Sequence, residues 1–429
     1  MSDFLERLKS DRNFQLVIGG IVVGLLIIFW LFHSLASKSK PTANGGSHPI
    51  TCYNQTFTIW SPFNYSAFDK LSQSLRGYCI GLNLVQKSES QIEADLVSSL
   101  AAANNPPDLV YVSGRYYSDN KNIFENSLAG LPLDTNNYPD GVKKFIVQNP
   151  GLYPVTADAL VSFWNVDYFN SIGLSQPPAT FEAITGIVPE LRKKDSSGNF
   201  SLAPVALGAA NNIDHSAEIF AAIAKMIGGV NFNGQNYNSV ELMKSLGQAF
   251  DFYTQFADQN SNDYSWNENM DNDLKLFSQN KVALIFDYYS VKDQIAGFNP
   301  RLNFAIAPFP HFQAYPLKTN FLKVYYFALP KIKPVKLAAM KIILTQLDKN
   351  YGDLTKQAKI LPLKLSLAQN LSGDEKIVFN EIIAGESFSN WNLNFLKQIL
   401  PSDFSNWITN KQETGYLIGS TQLNQIFTK

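Results

Sequence analysis

The sequence predicts an α/β protein whose globular body follows one N-terminal transmembrane helix. Three observations carry that prediction. The chain is 429 residues long, enough for two domains at roughly 150 residues each. From Thr56 onward, short β-branched and aromatic runs alternate with segments of helical apolar spacing, the pattern of a largely parallel sheet. Ahead of them, Leu16 to Phe32 is an unbroken run of apolar residues and glycine, with Phe14 just before it.

As a helix that run extends roughly 25 Å, a little short of a ~30 Å hydrocarbon core, and flanking residues make up the difference. A secretory signal peptide is the competing assignment, with Ser34-Leu35-Ala36 as its cleavage site, although its apolar region is usually shorter. Arg7, Lys9 and Arg12 precede the run, and Lys38 and Lys40 follow it. The positive-inside bias then puts residues 1–15 in the cytoplasm, 16–33 in the membrane and the body outside. Residues 34–54, rich in Ser, Gly, Pro and Lys, read as a flexible tether. Cys52 and Cys79 are the only cysteines. In an extracytoplasmic compartment they suit one disulfide closing an early loop; two buried free thiols are the alternative.

The elements follow in order. Thr56–Trp60 has strand composition and is ended by Ser61-Pro62. Phe68–Leu75 reads as a helix and Leu82–Val85 as a second strand. Ile92–Ala103 carries helical spacing until Asn104-Asn105-Pro106-Pro107 stops it. Asp108–Val112 is a third strand. Ala159–Asn165 reads as a strand, Val166–Ile172 as a short helix, Phe181–Lys193 as a longer one and Asp195–Asn199 as a turn. Ser216–Ile227, Ser239–Ala257 and Asp273–Gln279 are expected helices. Val282–Phe286 and Leu302–Ile306 are expected buried strands, and the chain is mostly helical from Lys336. No internal repeat is present.

Composition removes several functions. With 45% hydrophobic and 17% charged residues, the chain has ample surface to bury and is not intrinsically disordered. Its formal net charge of -1 gives no basic field for a nucleic-acid backbone. Four His and two Cys do not build a conventional zinc site, so neither a metal nor a cofactor is expected.

Several segments, in this order, resemble the extracellular solute-binding proteins of ABC transporters, family 1, the maltose and oligosaccharide-binding class. They are Thr58-Ile59-Trp60, then Ala101-Ala102-Ala103 leading to Pro107-Asp108-Leu109-Val110, Tyr153-Pro154, and Asp158-Ala159-Leu160. Phe163-Trp164-Asn165-Val166-Asp167-Tyr168-Phe169 follows. Pro177-Pro178-Ala179-Thr180-Phe181-Glu182 looks like the family's Pro-Pro-x-Thr-Trp-Glu/Asp stretch. Phe277-Ser278-Gln279-Asn280-Lys281-Val282-Ala283 looks like its Phe-x-x-Gly-x-x-Ala element, with Asn280 where the family usually has Gly. Ala307-Pro308-Phe309-Pro310 matches a later strand end. No lipobox cysteine follows the apolar run, so a retained helix would replace the usual lipid anchor.

The resemblance implies a two-lobed periplasmic-binding-protein-like fold with discontinuous lobes and a hinge. Residues 55–156 with 304–350 would form lobe 1, and 157–303 with 351–429 lobe 2. The chain would cross near Val155–Asp158, Leu302–Ala307 and Lys349–Leu354. It also implies a non-enzymatic receptor that holds a sugar or oligosaccharide between lobes and passes it to ABC permease subunits.

A sugar needs planar aromatics for its C–H faces and polar groups for its hydroxyls. Trp60 and Ser61 end the first strand, where open α/β sheets place ligands; Trp60 as a core residue is the alternative. Arg115, Tyr116 and Tyr117 follow the third strand, in a cluster that also suits a solvated loop. Asp158 stands where the family has an acidic residue at the hinge. Asn212 and Asp214 lie in a polar loop before a helix, where Asp214 also suits capping. Trp266, Tyr288 and Tyr289 repeat the aromatic theme. Tyr325 and Tyr326 lie in an apolar strand, where alternation buries one and exposes the other.

A membrane-anchored carbohydrate-active hydrolase is the alternative function. It needs two carboxylates about 5–9 Å apart across a cleft, and Asp158, Asp214 and Asp287 are the candidates. Ser118-Asp119-Asn120-Lys121 holds overlapping Ser-x-x-Lys and Ser-Asp-Asn patterns, which in penicillin-binding enzymes come from separate walls of the site. No Gly-x-Ser-x-Gly elbow or His-Glu-x-x-His helix occurs.

Overall fold

The computed structural model describes residues 51–102, 106–125, 133–229, 240–331, 336–386 and 393–410. The expected membrane segment and most of the tether lie outside them. Among the described residues, no helix is long and apolar enough to cross a membrane.

In chain order the strands are β1 (Gln55–Ser61), β2 (Ile80–Gln86), β3 (Leu109–Ser113), β4 (Leu152–Asn165), β5 (Lys193–Lys194), β6 (Phe200–Val205), β7 (Val282–Tyr288), β8 (Phe304–Pro308) and β9 (Leu322–Ala328). The α-helices are α1 (Asp69–Leu75), α2 (Glu89–Ala102), α3 (Gly114–Asp119), α4 (Asp140–Gln148), α5 (Val166–Ser171), α6 (Phe181–Leu191) and α7 (Ser216–Gly228). After these come α8 (Val240–Thr254), α9 (Asp273–Ser278), α10 (Lys292–Phe298), α11 (Leu337–Lys349), α12 (Tyr351–Ala358), α13 (Gly373–Ala384) and α14 (Leu393–Asn410). Several helices start on side-chain caps of the expected chemistry. Thr180 accepts the Ala183 N–H, Asn165 those of Asp167 and Tyr168, and Asn272 that of Lys275.

The strand order is β2-β1-β3-β9-β4-β7-β6-β5, with β8 on β4. β1 pairs in parallel with β2 and β3, whereas β9 runs antiparallel to both β3 and β4. β4 is the joint of the molecule. Its residues Leu152–Ala159 pair with β9, while Leu160–Trp164 pair with β7 and Val161–Asn165 with β8. All 14 of its residues are buried. One strand therefore belongs to two sheets, and each sheet with its helices forms a lobe.

The crossings differ in place from the expected ones. β8 joins the second half of β4, so residues 304–308 belong with lobe 2, and the second crossing falls between Pro308 and Leu322. α12 stays with lobe 1: the Tyr351 hydroxyl donates to the Val155 carbonyl at 2.7 Å, and Thr156 donates to the Leu361 carbonyl at 2.7 Å. The third crossing therefore comes after Leu363 rather than at Lys349–Leu354. The second lobe's main helix, α7, is buried along nearly its whole length by its alanine and isoleucine faces. The turn after β6 depends on Gly208, at φ +100°, where a Cβ would come within 2.6 Å of the Ala257 nitrogen. No cysteine among the described residues is free; Cys52 and Cys79 are disulfide-bonded.

Candidate functional site

The site grows from the place where β4 changes partners. Asp158 precedes that change by two residues, and its register partner on β9 is Lys323. It is 9% exposed. Its carboxylate accepts the Ala159 N–H at 2.9 Å and, across the joint, the Ser290 N–H at 3.1 Å. Burial raises its pKa, against the opposing pull of Ser290 and Lys323. A first-lobe carboxylate thus holds the loop that follows β7 in the second lobe.

Aromatic rings surround it. The Lys323 ammonium lies 4.0 Å from the ring centroid of Tyr288, a cation–π distance. Tyr288 ends β7, is 1% exposed and meets His215 edge-on at 4.8 Å. On the first-lobe side Tyr111 and Tyr325 stack at 5.1 Å, and the Tyr325 hydroxyl donates to Glu89 at 3.1 Å. Burial pushes the Glu89 carboxyl up. Tyr326, the alternate residue on β9, is fully buried, as strand alternation requires.

Behind Tyr288 lies an acidic network. His215 Nε2 is 3.4 Å from Asp287 and its Nδ1 3.6 Å from Glu218, whose carboxylate Lys397 also reaches at 3.0 Å. Burial, reinforced by Asp273, pushes Asp287 up to about 8; burial also brings Asp273 up to about 7. Burial alone would raise Glu218 too, but His215 and Lys397 outweigh it and hold the group at about 2. Asp273 and Asp287 are both 0% exposed.

Of the residues singled out in the sequence, the structure brings Asp158 and Tyr288 together, with Tyr289 next to Tyr288, half-buried and facing Lys292. Others are used elsewhere. Trp266 is fully buried; its indole N–H donates to Asn212 at 2.9 Å, and the Asn212 amide donates to the carbonyls of Asn267 and Met270. That pair ties the 266–273 loop to its neighbour, which corrects its assignment to ligand contact. Asp214 accepts from Asn272 at 3.0 Å and does not cap α7, where His215 takes the flanking position at φ 57°. Tyr117 is core, packed on Phe124 and Phe145. Tyr116 donates to the Glu93 carbonyl, and Arg115 faces Asp119 of its own helix. Ser61 is buried, with its carbonyl taken by the Lys87 N–H. Trp60 points toward α2, away from the joint, under Lys87.

His215 belongs to the polar loop that also holds Asn212 and Asp214, whereas Lys323, Ser290, Tyr111 and Glu89 were not singled out. Only Lys323 left a signal, a lone charge inside an otherwise apolar strand.

Two α/β sheets sharing one long strand, with a polar and aromatic cluster where that strand changes sheets, define a two-lobed solute-binding protein. The chain belongs to the bacterial extracellular solute-binding protein family, whose profile matches residues 80–343. Its fold is similar to that of the maltose-binding periplasmic protein of Listeria monocytogenes, solved with maltose. That match has a TM-score of 0.67 at 14% identity, covering 87% of this chain and 97% of that one. The cyclic α-maltosyl-1,6-maltose binding protein of Arthrobacter globiformis matches with a TM-score of 0.64 at 13% identity over 86% and 96% of the two chains. The maltose-maltodextrin binding protein of Alicyclobacillus acidocaldarius gives 0.61 at 16% identity over 86% and 99%. Comparison with curated protein sequences gives no match.

Proposed function

We propose that this protein captures a sugar or oligosaccharide between its lobes and hands it to the permease subunits of an ABC importer. Leu16–Phe32 would keep it on the outer face of the cell membrane as a single-pass anchor. The observation that carries the sugar assignment is the cluster at the joint: Asp158 and Lys323 beside Tyr288, with the stacked Tyr111–Tyr325 pair on the first-lobe side. Carboxylate and ammonium suit hydroxyl groups, and flat rings suit the C–H faces of a pyranose. The similar folds solved with maltose or described as maltodextrin-binding support the same class.

Binding to the folded state raises the melting temperature. A thermal-shift panel of monosaccharides, oligosaccharides, amino acids and peptides should show stabilisation by a carbohydrate. Stabilisation only by amino acids or peptides overturns the assignment. Labelled oligosaccharides incubated with the protein should stay intact. Mass spectrometry of the mature N-terminus tests the anchor: a chain beginning at Ser37 excludes it.

A further inference from the structure

An opening lies on the face of the first-lobe sheet opposite the stacked Tyr111–Tyr325 pair. It is a trough of about 570 Å³ between β1, β2 and α2. That size falls within the range of small-ligand sites. The register Thr58↔Asn83 and Trp60↔Val85 makes these side chains a common floor. Ile92 and Leu96 are the buried residues of α2, while Asp95, Ser98 and Ala102 form the wall above that floor. Small residues at positions 98 and 102 are why the helix does not fill the space.

The floor is unusual in holding Trp60 under a polar rim. Lys87 covers the indole, with its ammonium 4.1 Å from the ring centroid and 2.7 Å from the Asp95 carboxylate. The Asn83 amide donates to the Thr58 hydroxyl at 3.3 Å. An indole face that accepts a cation also accepts the C–H face of a sugar ring. An ion pair between partly exposed side chains contributes little, so Lys87 is a cover that a ligand displaces at small cost. Once moved, it leaves an aromatic floor with carboxylate, amide and hydroxyl groups around it.

The geometry points to a second carbohydrate site here, sized for one or two pyranose rings and separate from the joint. It does not depend on the identity of the solute held between the lobes. The two sites share no residue: α2 contributes Glu89 to the joint and its far half to the trough.

Full-length protein in a detergent without sugar headgroups, offered maltose, cellobiose and mannobiose at millimolar concentration, tests this by saturation-transfer NMR. In Asp158→Ala, transfer to at least one disaccharide should persist. Adding Ser98→Leu or Ala102→Leu, exposed helical positions where leucine fills the trough and is well tolerated in a helix, should weaken that residual binding at least about tenfold. The proposal fails if Asp158→Ala abolishes all transfer, or if residual transfer survives both leucine substitutions. It fails equally if none of the three sugars shows transfer. Failure of the joint assignment looks different: wild-type affinity would then be unchanged by Asp158→Ala.

Discussion

The side-chain amide of Asn320 bonds the backbone of Leu160 from both sides, accepting its N–H at 3.2 Å and donating to its carbonyl at 2.8 Å. Leu160 is the residue at which β4 leaves β9 for β7. A side chain thus supplies the rung that neither sheet provides. Glu381 holds the same amide at 2.5 Å.

Asn320→Ala removes both bonds and leaves the buried N–H and carbonyl of Leu160 without partners. At about 1–3 kcal/mol for each buried group left unsatisfied, the variant should lose roughly 2 kcal/mol or more of stability. The urea midpoint measures it, and an unchanged midpoint would mean water replaces the amide.

Asp158→Ala removes a charged acceptor from the joint. Hydrogen bonds to charged groups contribute roughly 1.5–3 kcal/mol, so sugar affinity should fall about 10- to 100-fold. Titration calorimetry reads this directly. Loss of folding without loss of affinity in the folded fraction would make Asp158 purely structural.

Stability should decline as pH rises from mildly acidic to mildly alkaline. Asp273, Asp287 and Glu381 are held protonated by burial, at about 7, 8 and 7, where the unfolded chain is already ionised. The native state then binds more protons, so each added pH unit favours unfolding until about pH 8. Glu218 acts oppositely: its contribution is present above its ordinary value and is lost as pH falls toward about 2. Asp287→Asn keeps an acceptor for the Tyr288 N–H and should flatten the decline. Melting temperatures across pH for both proteins check this.

Trp266→Phe and Asn212→Ala should lower the melting temperature while leaving sugar affinity of the folded protein nearly unchanged. Each breaks the indole–amide bond that fixes the 266–273 loop. A tenfold weaker affinity with an unchanged melting temperature would return both residues to the ligand.

Asp158 was singled out through the family resemblance and Tyr288 because it follows an apolar strand; the structure places Asp158 inside β4 and Tyr288 at the end of β7. Lys323, Ser290 and Tyr111 were not singled out, since they meet those residues only through strand pairing between distant segments. Asn212 and Trp266 misled for a physical reason: an amide-rich loop looks the same whether it satisfies a ligand or its own backbone. β1, β2 and β3 were visible as apolar runs. The first half of β4 was not, because Pro154 argues against a central strand; the sheet admits it at a register shift between Pro154 and Thr156.

The shared strand also fixes when the protein can finish folding. β3 and the first half of β4 have no bridge between them until Leu322–Ala328 arrives to pair with both. Contacts this distant in sequence form slowly. A chain emerging into its compartment from the N-terminus therefore carries two open strand edges while the whole second-lobe sheet is being made. Such edges invite pairing with other chains, so the hazardous interval for aggregation ends only when residue 328 has cleared the exit.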